Sequence, residues 1–269
     1  MLFNSYVFIF AFLPVVVAGY ALLNRYASNR TWVIGWLVLA SLFYYGWWKP
    51  QFLLLLFGSV SVNALLGKGL IEGRLSAAAR KAALVAGIAF NVGLLGYFKY
   101  AMFFVDNLNS LFGAGLTVPK IVLPIGISFI TFQKIAYLVD AYKGLVKHFS
   151  LRNYALFVTF FPQLIAGPIV HHAEMMPQFE RTARHRDFAD DLAIGFSIFC
   201  VGLFKKVVIA DTCAVYADAG YAHVQAGNLL DFVSAWMTVV AYSFQLYYDF
   251  SGYSDMAIGL ARIFGIRLP

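Results

Sequence analysis

The sequence predicts an all-α, polytopic membrane protein of about six spanning helices with re-entrant segments between them. Three observations carry that prediction. Of the 269 residues, 61% are hydrophobic and only 12% are charged, with a mean hydropathy of +0.75. A soluble domain carries about 25% charged residues, so a bilayer is the solvent this composition fits. Apolar runs approaching the ~20 residues that cross hydrocarbon recur along the whole chain. The 20 Lys and Arg outnumber the 13 Asp and Glu, and they gather in alternate connections, as retention of basic residues on the cytoplasmic side requires. No arginine-rich run with interleaved aromatics accompanies that charge, so the expected partner is the lipid bilayer and not nucleic acid.

The elements follow in order. Tyr6–Leu23 is the first span, expected to be retained because it lacks a basic leader and a small-residue cleavage site. Arg25 and Arg30 set its end in the cytoplasm. Trp32–Trp48 returns outward, and "YYGWWKPQ" turns at Gly46 and Pro50 with Trp47 and Trp48 at the interface. Phe52–Leu66 goes back in, to a basic loop carrying Lys68, Arg74, Arg80 and Lys81. Ala82–Phe98 goes out to a loop through Asp106, Asn107 and Asn109, and Ile121–Leu138 comes in to Lys143, Lys147 and Arg152.

Tyr154–Val170 is then flanked by basic residues on both sides, with Arg181, Arg184 and Arg186 following it. Pro162, Gly167 and Pro168 interrupt it. A re-entrant segment lining a cavity fits both facts, because broken backbone at membrane depth needs protein or water to satisfy its polar groups. Asp190–Ala210 crosses outward, Asp211–Asn228 forms an outer loop without Lys or Arg, and Leu229–Tyr248 comes inward. Without repeat, linker or low-complexity tract, residues 1–269 read as a single membrane domain. Cys200 and Cys213 read as packing residues.

Charge at bilayer depth costs at least ~2.5 kcal/mol, so each polar residue in these runs needs a reason. Asp249 has two. It is an N-cap in a helix break beside Ser251 and Gly252, or a carboxylate facing a polar cavity, where it orients a histidine or binds a substrate hydroxyl. On a helix it shares a face with Gly252, Tyr253 and Met256, while Asp255 shares another with Gly259 and Arg262. Lys205 and Lys206 either snorkel to the interface or hold an anion. Gln133 is expected to bond a neighbouring helix, and Gln163 to meet the cavity. His171 and His172 read as an interfacial loop pair. His148, His185 and His223 lack the context of a base, and no metal motif, Walker loop, dinucleotide fingerprint or nucleophile elbow occurs. Spacing and composition therefore stop at a polytopic membrane protein with a polar cavity.

Several stretches in order add more: "SLFYYGWWKPQFLLLLFGSVSVN", "LPIGISFITFQKIAYLVDAYKG", "FPQLIAGPIVHHAEMMPQF", "GLFKKVVIAD" and "YYDFSGYSDMAIGLARIFGIRLP". Together the chain resembles the membrane-bound O-acyltransferase (MBOAT) family in its bacterial alginate O-acetylase branch. The resemblance implies a multi-pass protein of the bacterial inner membrane. It implies acetyl transfer from acetyl-CoA or an acyl carrier to hydroxyls of an exported polysaccharide, alginate in this branch. No resident cofactor or metal is implied, and periplasmic acetyltransferase partner proteins are. The family's presumed general base is a histidine beyond the "DFSGYSD" stretch, past Pro269. The chain is therefore expected to be the N-terminal part of an MBOAT fold, incomplete at its C-terminus and inactive alone. Asp249 matches the position that partners that histidine. Gln133, Gln163, His171, Tyr253, Ser254 and Asp255 are the substrate or tunnel candidates, with His171 standing where the family often has arginine. The alternatives are a D-alanyl transferase of the same family and a non-catalytic transport or assembly subunit.

Overall fold

The computed structural model describes the chain apart from Ser28, Arg74, Ala114, Val118, Lys120, Ile165, Ala166, Pro168, Ile169 and residues 181–187, and the side chain of Glu180. The expectations placed on Arg74, Pro168, Arg181, Arg184, His185 and Arg186 lie outside the described residues. The rest is about 81% helical, with no strand among the described residues. The helices are α1 (Phe8–Tyr26), α2 (Arg30–Gly46), α3 (Gln51–Glu72), α4 (Ala77–Phe112), α5 (Ile127–Tyr142), α6 (Leu151–Thr159), α7 (Phe161–Leu164), α8 (His172–Glu180), α9 (Phe188–Gln225) and α10 (Phe232–Ile263). Four of them, α1, α3, α4 and α9, are long and apolar enough to cross a membrane. The all-α polytopic class is as the sequence predicts.

Three stretches read from the sequence as connections or breaks are helical, each because polar composition alone suggested a loop. Asp106, Asn107 and Asn109 lie inside α4, which runs on to Phe112 and stops where Gly113 adopts φ 59°. Asn107 stays helical by donating to its own turn at Phe103 O, 2.6 Å. The stretch after Asp211 is alanine-rich and continues α9 to Gln225, ahead of the positive-φ Gly227. Leu229–Tyr248 and the following "DFSGYSD" form one helix, α10, so Asp249 sits in mid-helix and is no N-cap. The cap is Asp231, which accepts from Ser234 N at 2.9 Å.

The described residues fall into two compact units. One holds those of Met1–Val33, Ala166–Pro168 and Arg181–Pro269; the other holds those of Ile34–Ile165 and Ile169–Glu180. In the first, α1, α9 and α10 bury Phe8, Val16, Tyr20, Phe199, Met256 and Leu260. Tyr20 Oη donates to Phe264 O at 2.9 Å and its ring meets Phe264 edge-on. In the second, α3, α4 and α5 pack together. Asn63 and Asn91 exchange amide bonds of 3.2 and 2.6 Å in the buried seam between α3 and α4, so neither polar group is left unpaired. Arg80 closes the cytoplasm-predicted end by donating to Tyr142 O at 2.8 Å.

Candidate functional site

In the first unit the polar residues are set by four glycines on the antiparallel pair α9 and α10. A Cβ on Gly195 would lie 2.6 Å from Gly259 O, and one on Gly202 would lie 2.6 Å from Gly252 O. Both pairs of notches are two helical turns apart, so they fall on one face and let the backbones touch. Gly252 also faces Lys205 and Lys206: a Cβ there would meet Lys206 N at 2.9 Å and Lys205 Cβ at 3.2 Å. Asp249 and Asp255 stand one turn to either side of Gly252. The close approach therefore delivers both carboxylates to the two lysines.

The result is a ladder of ion pairs. Lys205 Nζ donates to Asp255 Oδ2 at 2.6 Å and to Ser251 Oγ at 3.2 Å. Lys206 Nζ lies 2.6 Å from both Asp249 Oδ1 and Asp211 Oδ1. Towards the helix ends, Arg262 Nη2 lies 2.7 Å from Asp191 Oδ1. The lysines thus neither snorkel alone nor offer a free anion site. They sit at the start of a π-helical stretch, Lys205–Ala210, where each residue advances less than the ~100° of an α-helix, so neighbours can address one partner helix.

The predicted site residues separate by environment. Asp249 is 53% exposed with Lys206 on one oxygen, so its other face can accept a hydrogen bond. Asp255 is neutralised by Lys205 and borders an open cleft with Ser251, Ser254 and Tyr247. Tyr253 packs its ring on Phe3, centroids 4.7 Å apart. Lys206 and Asp211 were not singled out as partners of Asp249 in the sequence; the signal was present in "GLFKKVVIAD", whose charges need counter-charges at apolar depth.

In the second unit, Gln133 and Gln163 converge, but on backbone. Both amide nitrogens donate to Phe157 O at 2.9 Å. The helix breaks at Phe160, and Phe161 N, which would otherwise bond that carbonyl, donates to Ser41 Oγ at 3.1 Å. Tyr154, Phe157, Phe160, Phe161 and Leu164 are all buried. The break is thus satisfied by protein, and the described part of the segment is packed core instead of the cavity lining that its proline and glycine suggested. His171 is exposed, its Nδ1 4.0 Å from Asp140 Oδ2. His172 is buried with its Nδ1 3.0 Å from the same oxygen, its ring edge-on to Tyr137. The loop-pair reading missed this contact, because the acid lies 32 residues earlier in the sequence.

The comparisons with known proteins fit this body of helices. The sequence pattern of the MBOAT, membrane-bound O-acyltransferase family matches residues 5–268. The chain is 46% identical to a peptidoglycan O-acetyltransferase of Helicobacter pylori, over 100% of this chain and 55% of that protein. It is 41% identical to a probable alginate O-acetylase AlgI of Pseudomonas aeruginosa, over 99% of this chain and 50% of that one. A teichoic acid D-alanyltransferase of Bacillus subtilis is 27% identical over 54% of this chain and 36% of its own length. The chain spans about half the length of the O-acetyltransferase relatives it matches. It belongs to the membrane-bound O-acyltransferase family.

Proposed function

We propose that this chain acts in an O-acetyltransferase of the bacterial inner membrane that esterifies hydroxyls of an exported glycan. The observation that carries the reading is identity of 46% and 41%, over essentially the whole chain, to relatives named as a peptidoglycan O-acetyltransferase and a probable alginate O-acetylase. The D-alanyl alternative rests on a 27% match to about half the chain and is the weaker reading. Between glycans, the higher identity favours peptidoglycan over the alginate that the motifs first suggested.

The chemistry asks for a base within ~3 Å of the acceptor hydroxyl, which removes its proton as the oxygen attacks the acyl carbonyl and the donor's leaving group departs. An acetyl thioester, from acetyl-CoA or an acyl carrier, would supply that carbonyl as substrate. Asp249 suits the supporting role. Lys206 fixes one oxygen, and the exposed side of the carboxylate can accept an imidazole N–H or a substrate O–H. Periplasmic acetyltransferase proteins are the proposed partners. The test is base-labile acetate on purified peptidoglycan and on exported polysaccharide, compared between the source strain, its gene deletion and a strain carrying Asp249→Ala. Loss of acetate from one polymer in the deletion supports the reading and names the acceptor. Unchanged acetate on both would refute it.

A further inference from the structure

Lys134 is a buried lysine outside the ladder. Lys134, on α5 in the second unit, is 3% exposed, and no carboxylate pairs with it among the described residues. Its Nζ donates to Ser59 Oγ on α3. A buried ammonium without a counter-charge is among the costliest arrangements a fold can hold. Lys205, Lys206 and Arg262, by contrast, each meet an acid within 3 Å.

The polar side chains around it are hydroxyls, and none brings a negative charge. Ser59 Oγ is occupied in accepting from Lys134, which leaves its hydrogen to donate elsewhere. Thr131 lies one turn before Lys134 on α5 and is 2% exposed. Among the described residues neither hydroxyl donates back to its own helix, as those of Ser41 and Thr159 do at 2.7 Å. Lys134, Ser59, Thr131 and the phenol-bearing Tyr45 border a cavity of about 20 Å³, otherwise walled by apolar groups including Leu56, Ile127 and Ile130. A single water fits a space of ~10–15 Å³ or more and finds hydroxyl partners there, but it brings no charge to offset the ammonium. A monatomic anion only accepts, and it brings the missing charge.

We infer that Lys134, Ser59 and Thr131 form a buried site for a monovalent anion of chloride size, held between α3 and α5. The site is independent of the acyl-transfer reading. It is a structural counter-ion site that joins two helices through three donors.

The test is the thermal stability of the purified protein in detergent, at one ionic strength, with sodium chloride or sodium bromide replacing sodium gluconate. At halide ten-fold above its dissociation constant, the midpoint should rise by about 3–6 °C and saturate. Lys134→Met, which keeps the length of the stem, should abolish the dependence, and Ser59→Ala should weaken it. Should Lys134→Met fail to fold, line broadening of ³⁵Cl in wild type and its reduction in Ser59→Ala and Thr131→Ala decide the same question. A midpoint indifferent to halide overturns the inference and leaves an uncharged amine beside a water. A halide effect that survives Lys134→Met places the anion elsewhere and overturns it too.

Discussion

Gly202→Ala probes the seam that brings Asp249 to Lys206. The added Cβ would lie 2.6 Å from both Gly252 O and Met256 N, and 2.9 Å from Asp255 Cβ. The first two are backbone atoms of a packed helix and cannot swing aside. To restore an ordinary 3.4 Å contact, α9 and α10 must part by about 0.8 Å. A gap of 0.5–1 Å forfeits roughly a quarter to a half of the dispersion well of each contact along the seam. Overpacking of this kind costs ~1–3 kcal/mol, and a clash against backbone belongs at the top of that range. Alanine recovers up to ~1 kcal/mol in helix propensity. The expected net loss is therefore about 2 kcal/mol, read as a shift in reversible SDS unfolding of the purified protein in mixed micelles, followed by circular dichroism. Gly93→Ala is the control, since nothing lies within 4 Å of its Cβ; it should hold or gain stability. The double variant Gly202→Ala/Gly252→Ala should cost less than the two singles together, because one separation relieves both clashes. A Gly202→Ala protein as stable as Gly93→Ala, or strict additivity in the double variant, would refute the close-approach argument.

Arg262→Met strands Asp191, a carboxylate only 11% exposed; we expect a loss of about 3 kcal/mol, largely recovered by adding Asp191→Asn, in the same unfolding assay. Ser41→Ala removes the acceptor of Phe161 N–H at a fully buried helix break and should cost ~1–3 kcal/mol. Gln133→Leu and Gln163→Leu should each cost less, since Phe157 O keeps one donor, while the pair together should exceed their sum. Asp231, in the connection before α10, has its carboxyl held below the usual 3.8 by the Ser234 amide N–H and hydroxyl that it accepts from. A depressed folded value means that the cap contributes fully above the unfolded value and is lost as pH falls through the folded one. Asp231→Asn keeps an acceptor that does not titrate, so it should lose less stability than wild type below about pH 3.8; acid unfolding curves that coincide would rule this out.

The fold class was legible because bilayer residence writes itself into composition, and the basic connections added direction. Helix ends were less legible. "DTCAVYADAGYAHVQ" is polar enough to pass for a loop, yet it is alanine-rich and has no proline, so local propensity outweighs the polarity signal. "DFSG" in α10 looked like a break because serine and glycine usually mark one. Here Gly252 serves contact with α9, which only the tertiary partner reveals. The glutamines show the converse. Gln133 and Gln163 were legible as polar groups needing partners, but not that both would spend themselves on a single carbonyl. That depends on a turn broken at Phe160, and the sequence signals only its neighbour Pro162.

The carboxylates are not equivalent in what they can still do. Asp140 lies 3.0 Å from His172, and both side chains are largely covered, 17% and 8% exposed; that pair orients a ring inside a packed unit. Asp255 is matched by its own lysine and a serine. Asp191 is consumed by Arg262 near the helix ends. Asp249 shares its lysine with Asp211, so that group of three carries excess negative charge when all are ionised, and half of its surface stays open. An acid so placed favours a cationic or proton-donating partner. This is the arrangement needed to hold an imidazole in one tautomer. It supports the proposed role of Asp249 as a positioning group, with Lys206 holding one of its oxygens.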